Sequence, residues 1–262
     1  MKRGILVVSF GTTYKETREK NIDKLVETVR ETFPDWKVYQ AYSSNRIRTI
    51  LRKRDSMMIP DTREALYRMK EEGITHAAIL PTYIIDGIEY NKTKQIIEDC
   101  RNLFDEIKAA GVLLGDRADC ADSAEALWQE IGEMAGDTPV ILMGHGSAHE
   151  ADASYAVLEN ELQSCSGKEI YIATVEGSKA IETVIDRLKA SAGERGRVLL
   201  IPFMLTAGDH VVNDMAGEED SFVSKLRAEG YEPECILKGI GEYGSIRSIY
   251  MNHLRKAVNQ NI

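Results

Sequence analysis

Short apolar runs alternate with longer amphipathic stretches along the 262-residue chain. The apolar runs have the length of strands, and the amphipathic stretches carry apolar residues three and four positions apart, as helices do. This alternation predicts an α/β fold in which parallel sheets are covered by helices. The predicted strands are Ile5–Phe10, Lys37–Tyr42, His76–Thr82, Gly111–Leu114, Val140–Gly144, Glu169–Val175, Arg197–Phe203 and Glu234–Leu237. The predicted helices are Thr17–Phe33, Thr62–Glu72, Ala124–Ala135, Ser178–Ala190, Asp220–Glu229 and Ser245–Val258.

The second half of this pattern repeats the first. Glu89 lies eight residues beyond Pro81 in the first copy. His210 lies eight residues beyond Pro202 in the second copy. We expect the two copies to face each other across a cleft, with the residues at corresponding strand ends facing that cleft. The matching segments are Gly4–Thr13 with Pro139–Ala148, and Ala77–Tyr83 with Val198–Met204.

The repeat predicts two domains of similar size, residues 1–123 and residues 124–262. The candidate boundaries are Asp116–Ser123 and Gly136–Thr138. The last predicted helix, Ser245–Val258, can pack back on the first domain. No low-complexity or proline-rich linker separates the halves, so we expect them to be joined by short connections.

Composition and charge limit the binding partners and the cellular compartment that fit the protein. The net charge of −9 argues against a nucleic acid or an acidic membrane surface as a partner. The four cysteines are spaced too widely for a zinc or iron–sulfur site, and a large, cysteine-poor chain fits a reducing cytosol. The N-terminus runs into a strand without a signal h-region, and no apolar run approaches the roughly 18 residues of a membrane span. We therefore expect a cytoplasmic protein.

His145 is the first candidate for chemistry. It follows the first strand of the second half and lies between Gly144 and Gly146. Glycines let the backbone turn sharply there and leave the imidazole uncrowded at the end of the sheet. Taken alone, a histidine in this position fits a base, a metal ligand or a hydrogen-bonded structural residue.

Two more candidates follow the next strands of the same half. Glu176 follows the second strand, where it also fits a solvated carboxylate near a helix N-terminus. His210 follows the third strand in a polar loop, and in isolation it fits a surface histidine. Asp209 or Asp214 can orient its ring. With His145, these residues end three successive strands, and two imidazoles with a carboxylate suit a divalent metal such as Co²⁺, Ni²⁺, Fe²⁺ or Zn²⁺.

A basic cluster follows the second strand of the first half, in contrast to the acidic average of the chain. Such a run is usually a solvated helix face, but guanidinium groups at a strand end can also bind carboxylates bidentately. The run is short and lacks interleaved aromatic residues, so it suits a small polyanion better than a nucleic acid. Its members are Arg46, Arg48, Arg52, Lys53 and Arg54.

Several common motifs are absent from the sequence. There is no Walker A motif, no GxGxxG after a strand and no GxSxG elbow. Met143 precedes the Gly-His-Gly, where a phosphohistidine mutase or phosphatase would have the arginine of Arg-His-Gly.

The remaining motifs, in this order, resemble the anaerobic sirohydrochlorin cobaltochelatases of the class II chelatase superfamily. The third motif below is the most specific, and the resemblance spans essentially the whole chain. The motifs of the second half are Gly-His-Gly-Ser from Gly144, Thr-Val-Glu-Gly from Thr174, and Pro-Phe-Met-Leu-Thr-Ala-Gly-Asp-His-Val-Val-Asn-Asp-Met from Pro202. Those of the first half are Ser-Phe-Gly-Thr-Thr from Ser9 and Pro-Thr-Tyr-Ile-Ile-Asp-Gly-Ile-Glu-Tyr from Pro81.

The resemblance implies both a fold and a reaction. The family fold has two similar Rossmann-like or flavodoxin-like halves, each a parallel sheet with flanking helices, related by a pseudo-two-fold axis. The reaction is insertion of Co²⁺ into sirohydrochlorin, an early step of oxygen-independent cobalamin synthesis. The cobalt ion is then a substrate, the tetrapyrrole is the partner, and no permanent cofactor is expected.

The resemblance also assigns roles to residues. His145 and His210 are the expected catalytic residues, and both are expected metal ligands together with Glu176. The resemblance places Glu89 near the tetrapyrrole, and Phe10, Ser147, Arg46 and Arg48 are further residues that we expect to bind it.

Other functions remain open from the sequence. The imidazole and carboxylate ligands fit Fe²⁺ or Ni²⁺ insertion into sirohydrochlorin as well as Co²⁺ insertion. A non-catalytic tetrapyrrole or metal carrier and a metal-dependent hydrolase are the alternatives from other classes. A protoporphyrin ferrochelatase fits less well, because its dicarboxylate substrate would need a more apolar cleft than the basic cluster suggests.

Overall fold

The protein folds into two α/β units in a computed structural model that describes residues 1–191 and 196–259. The first unit comprises Met1–Gly115 and the chain from Arg247 onward, and the second comprises Asp116–Ile246. Most of the C-terminal helix therefore belongs to the first unit. The predicted second half includes residues 192–195 and 260–262, which lie outside the described residues.

Each unit contains a parallel sheet of four strands. The strands of the first unit are β1 (Arg3–Ser9), β2 (Lys37–Tyr42), β3 (His76–Pro81) and β4 (Glu106–Ala109), in the order β2-β1-β3-β4. The strands of the second unit are β5 (Val140–Gly144), β6 (Ile170–Thr174), β7 (Arg197–Pro202) and β8 (Glu232–Cys235), in the order β6-β5-β7-β8. The two orders are the same. The predicted α/β fold with two similar halves is confirmed.

Helices connect the strands in both units. The helices up to the unit boundary are α1 (Lys15–Arg18), α2 (Lys24–Thr32), α3 (Asn45–Asp55), α4 (Thr62–Glu71) and α5 (Ile88–Asp99). Those that follow are α6 (Arg117–Ala135), α7 (Ser154–Ser166), α8 (Ile181–Ala190), α9 (Phe222–Ala228) and α10 (Gly244–Asn259). Within residues 1–191 and 196–259, no helix has the length and apolar character needed to cross a bilayer.

The central strands explain the continuous apolar runs in the sequence. Residues 5–8 of β1 and residues 140–143 of β5 are completely buried. A central strand of a parallel sheet is covered on both faces, so its side chains are buried whichever way they point. Apolar residues therefore follow one another here and do not alternate with polar ones.

Hydrogen bonds from side chains cap the N-termini of helices α4 and α9. Asp61 precedes α4 and accepts a hydrogen bond from the Glu64 backbone, while the Glu64 side chain accepts one from the Asp61 backbone, both at 2.8 Å. Ser221 and Ser224 form the equivalent capping box at the start of α9. Each box satisfies backbone N–H groups that have no partner in the first turn of a helix.

The last strand of each sheet differs from its predicted range. β4 is formed by Glu106–Ala109 and not by Gly111–Leu114. The predicted segment is buried in a loop, where the Leu113 backbone donates to the carbonyl of Tyr83. Its apolar residues reflect packing of that loop. β4 is an edge strand in which only Ile107 is buried, so it carries little hydrophobic signal.

β8 begins and ends two residues earlier than the predicted range Glu234–Leu237. The backbone of Ile236 still donates to the carbonyl of Leu200, but Leu237 lies beyond the strand with its side chain 59% exposed. An apolar residue just after an edge strand resembles part of the strand in sequence, because exposure cannot be read from residue type.

Candidate active site

Two imidazole rings meet at the carboxyl edge of the second sheet. His145 directly follows β5, and His210 lies at the start of a helical turn in the connection that follows β7. Their ring centroids are 4.8 Å apart, and the ring planes are at 89° to each other, an edge-to-face arrangement. β5 and β7 are neighbours in the sheet, so the strand order brings these two distant positions of the chain together.

The hydrogen bonds of the two rings define their tautomers. The Nδ1 atom of His145 lies 3.0 Å from the carbonyl oxygen of Gly146, which can only accept. The Nδ1 atom of His210 lies 2.8 Å from Oδ2 of Asp214, and a carboxylate likewise only accepts. Each neutral ring therefore carries its proton on Nδ1 and a lone pair on Nε2. Two Nε2 lone pairs are left for a metal ion or a proton.

The backbone of Glu176 is hydrogen-bonded to the backbone of His145. Its N–H donates to the carbonyl of His145 at 2.8 Å, and the preceding Val175 N–H donates to the carbonyl of Gly144 at 3.1 Å. The side chain of Glu176 is exposed. Across residues 1–191 and 196–259, no three side chains of His, Cys, Asp or Glu are arranged as a metal cage. The structure thus brings the two imidazoles together and places the start of the Glu176 loop beside them.

The turn after β5 depends on the absence of a side chain at Gly146. This residue has φ +80°, and a Cβ atom there would lie 2.3 Å from the backbone nitrogen of Gly177. The loops after β5 and β6 therefore touch backbone to backbone. A residue with a Cβ atom at position 146 could not come this close to Gly177.

An open pocket of about 510 Å³ lies next to Glu176. Residues 147–150, 152–153 and 176–178 line it. The predicted substrate residue Ser147 is among them, and its Oγ accepts a hydrogen bond from the His149 backbone at 3.0 Å. The pocket lies between the loops after β5 and β6, which are the loops that carry His145 and Glu176.

Two residues that support these loops were not predicted from the sequence. Asp152 is buried and accepts hydrogen bonds from the backbones of Ser147 and Ser178. Tyr155, at the start of α7, packs beneath Gly144, where an added Cβ would come within 2.7 Å of its ring. Burial raises the pKa of Tyr155 far above its usual value, so its hydroxyl stays protonated. Their sequence signal was weak, because Asp152 lies eight residues beyond the end of β5 and Tyr155 lies on α7.

Lys238 was also missed, although a signal was available. It follows the predicted range of β8 directly, at the same edge of the sheet as the two histidines. Its Nζ lies 4.2 Å from the centroid of the Tyr243 ring, a cation–π contact. It forms no ion pair with any of the described residues. Lys238 is therefore a cation that is available to an anionic ligand of the second unit.

In the first unit, Phe10 and Glu89 lie at positions that correspond to His145 and His210. Phe10 directly follows β1, and its side chain is 49% exposed. Glu89 lies in the first turn of α5, where a negative charge is favourable, and it pairs with Lys92 at 2.5 Å. The first unit thus carries an aromatic ring and a carboxylate where the second unit carries imidazoles.

The two predicted substrate arginines of α3 differ in their contacts. Arg46 is exposed and forms no ion pair within the described part of the chain. Arg48 is 18% exposed and pairs with Asp61 at 3.4 Å and Glu64 at 3.6 Å. The guanidinium of Arg48 is therefore engaged with the capping residues of α4, whereas that of Arg46 is available.

Comparison with known proteins gives the family. A family model described as cobalt chelatase (CbiK) matches residues 3–259. The chain belongs to the cobalt chelatase (CbiK) family. It is 35% identical over 260 residues to sirohydrochlorin cobaltochelatase from Salmonella typhimurium, which covers 99% of this chain and 97% of that protein. It is 32% identical over 267 residues to sirohydrochlorin cobaltochelatase CbiKC from Nitratidesulfovibrio vulgaris, which covers 98% of this chain and 91% of that protein.

Solved structures support the same fold at lower identity. SirB from Bacillus subtilis with Fe³⁺ has a TM-score of 0.71 at 16% identity and covers 99% of this chain and 97% of its own. CbiX, described as the terminal enzyme of sirohaem biosynthesis in denitrifying bacteria, has a TM-score of 0.59 at 14% identity and covers 97% and 99% of the two chains. These likenesses concern the fold of the two units.

Replacing Asp214 tests the support of His210. Asp214→Asn removes the charge that holds the Nδ1 proton, and changes of this kind cost about 10- to 100-fold in metal affinity or activity. We expect the dissociation constant for Co²⁺ to rise by about that factor, measured by titration of the metal-free protein. Asp209→Asn is the matched control, because Asp209 bonds to Asn213 in the same loop. An equal loss in both variants would contradict the role of Asp214.

Replacing Gly146 tests the contact between the two loops. Gly146→Ala adds a Cβ where the Gly177 backbone lies and strains a positive φ, so we expect unfolding in urea to occur at a clearly lower midpoint. Gly167→Ala is the matched control, because Gly167 also has a positive φ, +65°, but nothing lies within 4 Å of the added atom. The positive φ alone costs roughly 1–2 kcal/mol for a residue with a side chain. A Gly146→Ala midpoint no lower than that of the control would show that the contact does not matter.

Proposed function

We propose that the protein inserts Co²⁺ into sirohydrochlorin in the cytoplasm, as a step of anaerobic cobalamin biosynthesis. The observation that carries the proposal is the pair of rings of His145 and His210, each held at Nδ1 and open at Nε2, in a chain of the cobalt chelatase family. In the reaction the cation replaces the protons of two pyrrole nitrogens. Cobalt-sirohydrochlorin and two protons are the products.

The side chains fit a metal ion that is delivered and not retained. We propose that His210 and Glu176 hold the incoming Co²⁺, with His145 beside them. Imidazole nitrogen and carboxylate oxygen are suitable ligands for Co²⁺. A site that binds a metal permanently is usually closed by four ligands. Here the Glu176 side chain is exposed, so it can approach the ion and withdraw again when the macrocycle takes it.

We assign the first proton transfer to His145. The neutral ring has its lone pair on Nε2, and an imidazole accepts protons near neutral pH. After accepting a pyrrole proton the ring is a cation, and its Nδ1–H still donates to the carbonyl of Gly146. The ring is half-buried, so the proton can pass on to water.

We propose that basic side chains recognise the carboxylates of the substrate. Arg46 in the first unit and Lys238 in the second are cations without a carboxylate partner among the described residues. Arg48 is the weaker candidate, since its ion pairs with Asp61 and Glu64 would have to break. The exposed ring of Phe10 offers an apolar surface for the macrocycle.

The remaining predicted substrate residues can supply polar contacts. The hydroxyl of Ser147 accepts from the His149 backbone, so its own proton remains to be donated. Glu89 is paired with Lys92 through one carboxylate oxygen, and its other oxygen can accept hydrogen bonds from the pyrrole N–H groups. We propose both as substrate contacts.

The function is tested by following the absorbance of sirohydrochlorin with Co²⁺, with and without a catalytic amount of protein. We expect the protein to accelerate insertion over many turnovers, and His145→Ala to lose at least about 100-fold, the usual contribution of a positioned base. His76→Ala is the control, because His76 lies at the start of β3 in the other unit. Both variants should keep the circular dichroism of the wild type.

Two results of this assay would overturn the proposal. Stoichiometric binding without turnover would make the protein a carrier. Full activity of His145→Ala would remove this ring from the reaction. Parallel assays with Fe²⁺ and Ni²⁺ compare the metals by rate, because affinity alone follows the general order of divalent metals.

Charge removal on α3 tests substrate recognition. We expect Arg46→Gln to raise the KM for sirohydrochlorin about 3- to 10-fold, which corresponds to about 1 kcal/mol, with the KM for Co²⁺ unchanged. Arg30→Gln on α2 is the control, because Arg30 is also an exposed arginine of the first unit. The assay is repeated at high salt, where the difference should shrink. Equal KM values for the two variants would exclude Arg46.

A further inference from the structure

We propose that Asp152 is a positioning residue that joins the loops of His145 and Glu176 and thereby sets the affinity of the site for the incoming cation. The proposal rests on the proposed function, in which these two loops deliver the metal. Asp152 lies in the 3₁₀-helical turn Glu150–Ala153, before α7, and its side chain is buried with 6% of the residue exposed.

The two oxygens of this carboxylate are divided between two loops. Oδ1 accepts the backbone N–H of Ser147 at 3.0 Å, in the loop after β5. Oδ2 accepts the backbone N–H of Ser178 at 2.9 Å and its hydroxyl at 2.6 Å, in the loop after β6. Asp152 is therefore a bridge between the loops, and it lies at the far end of the connection from β5 to α7.

Each bridged serine lies two residues beyond a residue of the proposed reaction, the base His145 or the metal ligand Glu176. Ser147 follows His145 by two positions, and Ser178 follows Glu176 by two positions. The backbones of His145 and Glu176 are themselves hydrogen-bonded to each other at 2.8 Å. His145 and Glu176 thus lie on a closed ring of contacts, with one direct backbone bond on one side and the Asp152 carboxylate on the other.

The space around Asp152 leaves little freedom for this ring. A Cβ added to Gly177 would lie 2.5 Å from Oδ1 of Asp152 and 2.5 Å from Oγ1 of Thr174. Gly177 therefore lets the loop close on the carboxylate. The turn that carries Asp152 is held in place by His149, whose Nδ1 accepts the backbone N–H of Ala151 at 3.1 Å.

A buried carboxylate is usually balanced by a cation, because removing its charge from water costs several kcal/mol. Asp152 receives only N–H and O–H groups from the described residues, all from the two ligand-bearing loops. Their hydrogen bonds compensate the buried charge only while both loops are in place. Among the described residues, no cationic side chain pairs with Asp152 to balance its charge.

A purely structural carboxylate elsewhere in the same unit provides the comparison. Glu159 on α7 is buried to a similar degree, with 4% exposed, and accepts the Ile172 backbone N–H at 2.6 Å. Its charge is balanced by Arg187 at 2.7 Å and by Lys179 at 3.4 Å. Glu159→Gln disturbs the second unit in the same chemical way, but it reaches the loop after β6 only through Lys179 and does not change the loop after β5 or the contacts of Asp152.

The experiment compares Asp152→Asn with Glu159→Gln in the full chain. The readouts are the Co²⁺ dissociation constant of the metal-free protein, the kcat and both KM values of insertion, and the thermal unfolding midpoint. We expect Asp152→Asn to raise the Co²⁺ dissociation constant and the KM for Co²⁺ about 10- to 100-fold, with the KM for sirohydrochlorin changed less than about 2-fold. Glu159→Gln should lower the unfolding midpoint and leave both Co²⁺ constants unchanged. Ser178→Ala, which removes one of three hydrogen bonds, should give a smaller loss of Co²⁺ affinity.

Two outcomes would overturn the positioning role. In one, Asp152→Asn lowers only the unfolding midpoint, as expected of a structural residue. In the other, the two variants lose Co²⁺ affinity equally. A wild-type protein that neither binds nor inserts Co²⁺ would instead refute the proposed function. The bridge is then tested by amide hydrogen exchange of Ser147, Glu176 and Ser178. If Asp152 joins the loops, Asp152→Asn should accelerate exchange at all three amides. Unchanged exchange rates would show that the bridge is absent.

Discussion

The register of β5 between its two neighbours is the constraint on which the site depends. Gly144 at the end of β5 pairs with Thr174 of β6, and Met143 pairs with Pro202 of β7. All three strands therefore end at the same level, and their loops leave the sheet side by side. Residues that are far apart in the chain, His145 and His210, come within contact distance for this reason. A slip of one residue would turn the side chains to opposite faces and separate the loops.

Within this arrangement of strands, hydrogen bonds determine which polar atoms of the site remain without a partner. Gly146 and Asp214 occupy the Nδ1 atoms of the two rings and so leave both Nε2 atoms open. Asp152 occupies the N–H groups of the loops after β5 and β6. These backbone groups are thus satisfied by the protein itself, while the Nε2 atoms and the Glu176 carboxylate take no part in these hydrogen bonds. An open set of this kind suits a metal that must leave again, in contrast to a closed structural site.

The two units show how one topology supports different chemistry. Their strand orders are the same, and Gly11 and Gly146 have positive φ at corresponding turns after β1 and β5. Phe10 follows β1 in the position that His145 takes after β5. In the first unit the carboxyl edge carries an aromatic ring and the basic helix α3, and in the second it carries the imidazoles. The backbone frame is repeated, whereas the side chains at its edge differ in function.

The amino-acid pattern alone was enough for the α/β class, the repeat, seven of the eight strands in position or nearly so, and the residues at the strand ends. Long apolar runs and the loops after them are local features, so periodicity reveals them. The short edge strand β4 was misplaced because only Ile107 in it is buried. Helices α5 and α7 were not predicted, because their apolar residues are mixed with polar ones and form no clear stripe.

The contacts between elements could be found only in the folded chain. Arg46 and Arg48 look alike in sequence, but the fold pairs Arg48 with the cap of α4 and leaves Arg46 exposed. Asp152 looks like any acidic residue of a loop until the fold buries it between Ser147 and Ser178. The physical reason is that strand ends are encoded by nearby residues, whereas the partner of a buried charge comes from elsewhere in the chain. Residue type and spacing thus determine which side chains lie at the sheet edge. Tertiary packing determines which histidine nitrogen is protonated, that Arg46 has no ion pair among the described residues, and that Asp152 bridges two loops.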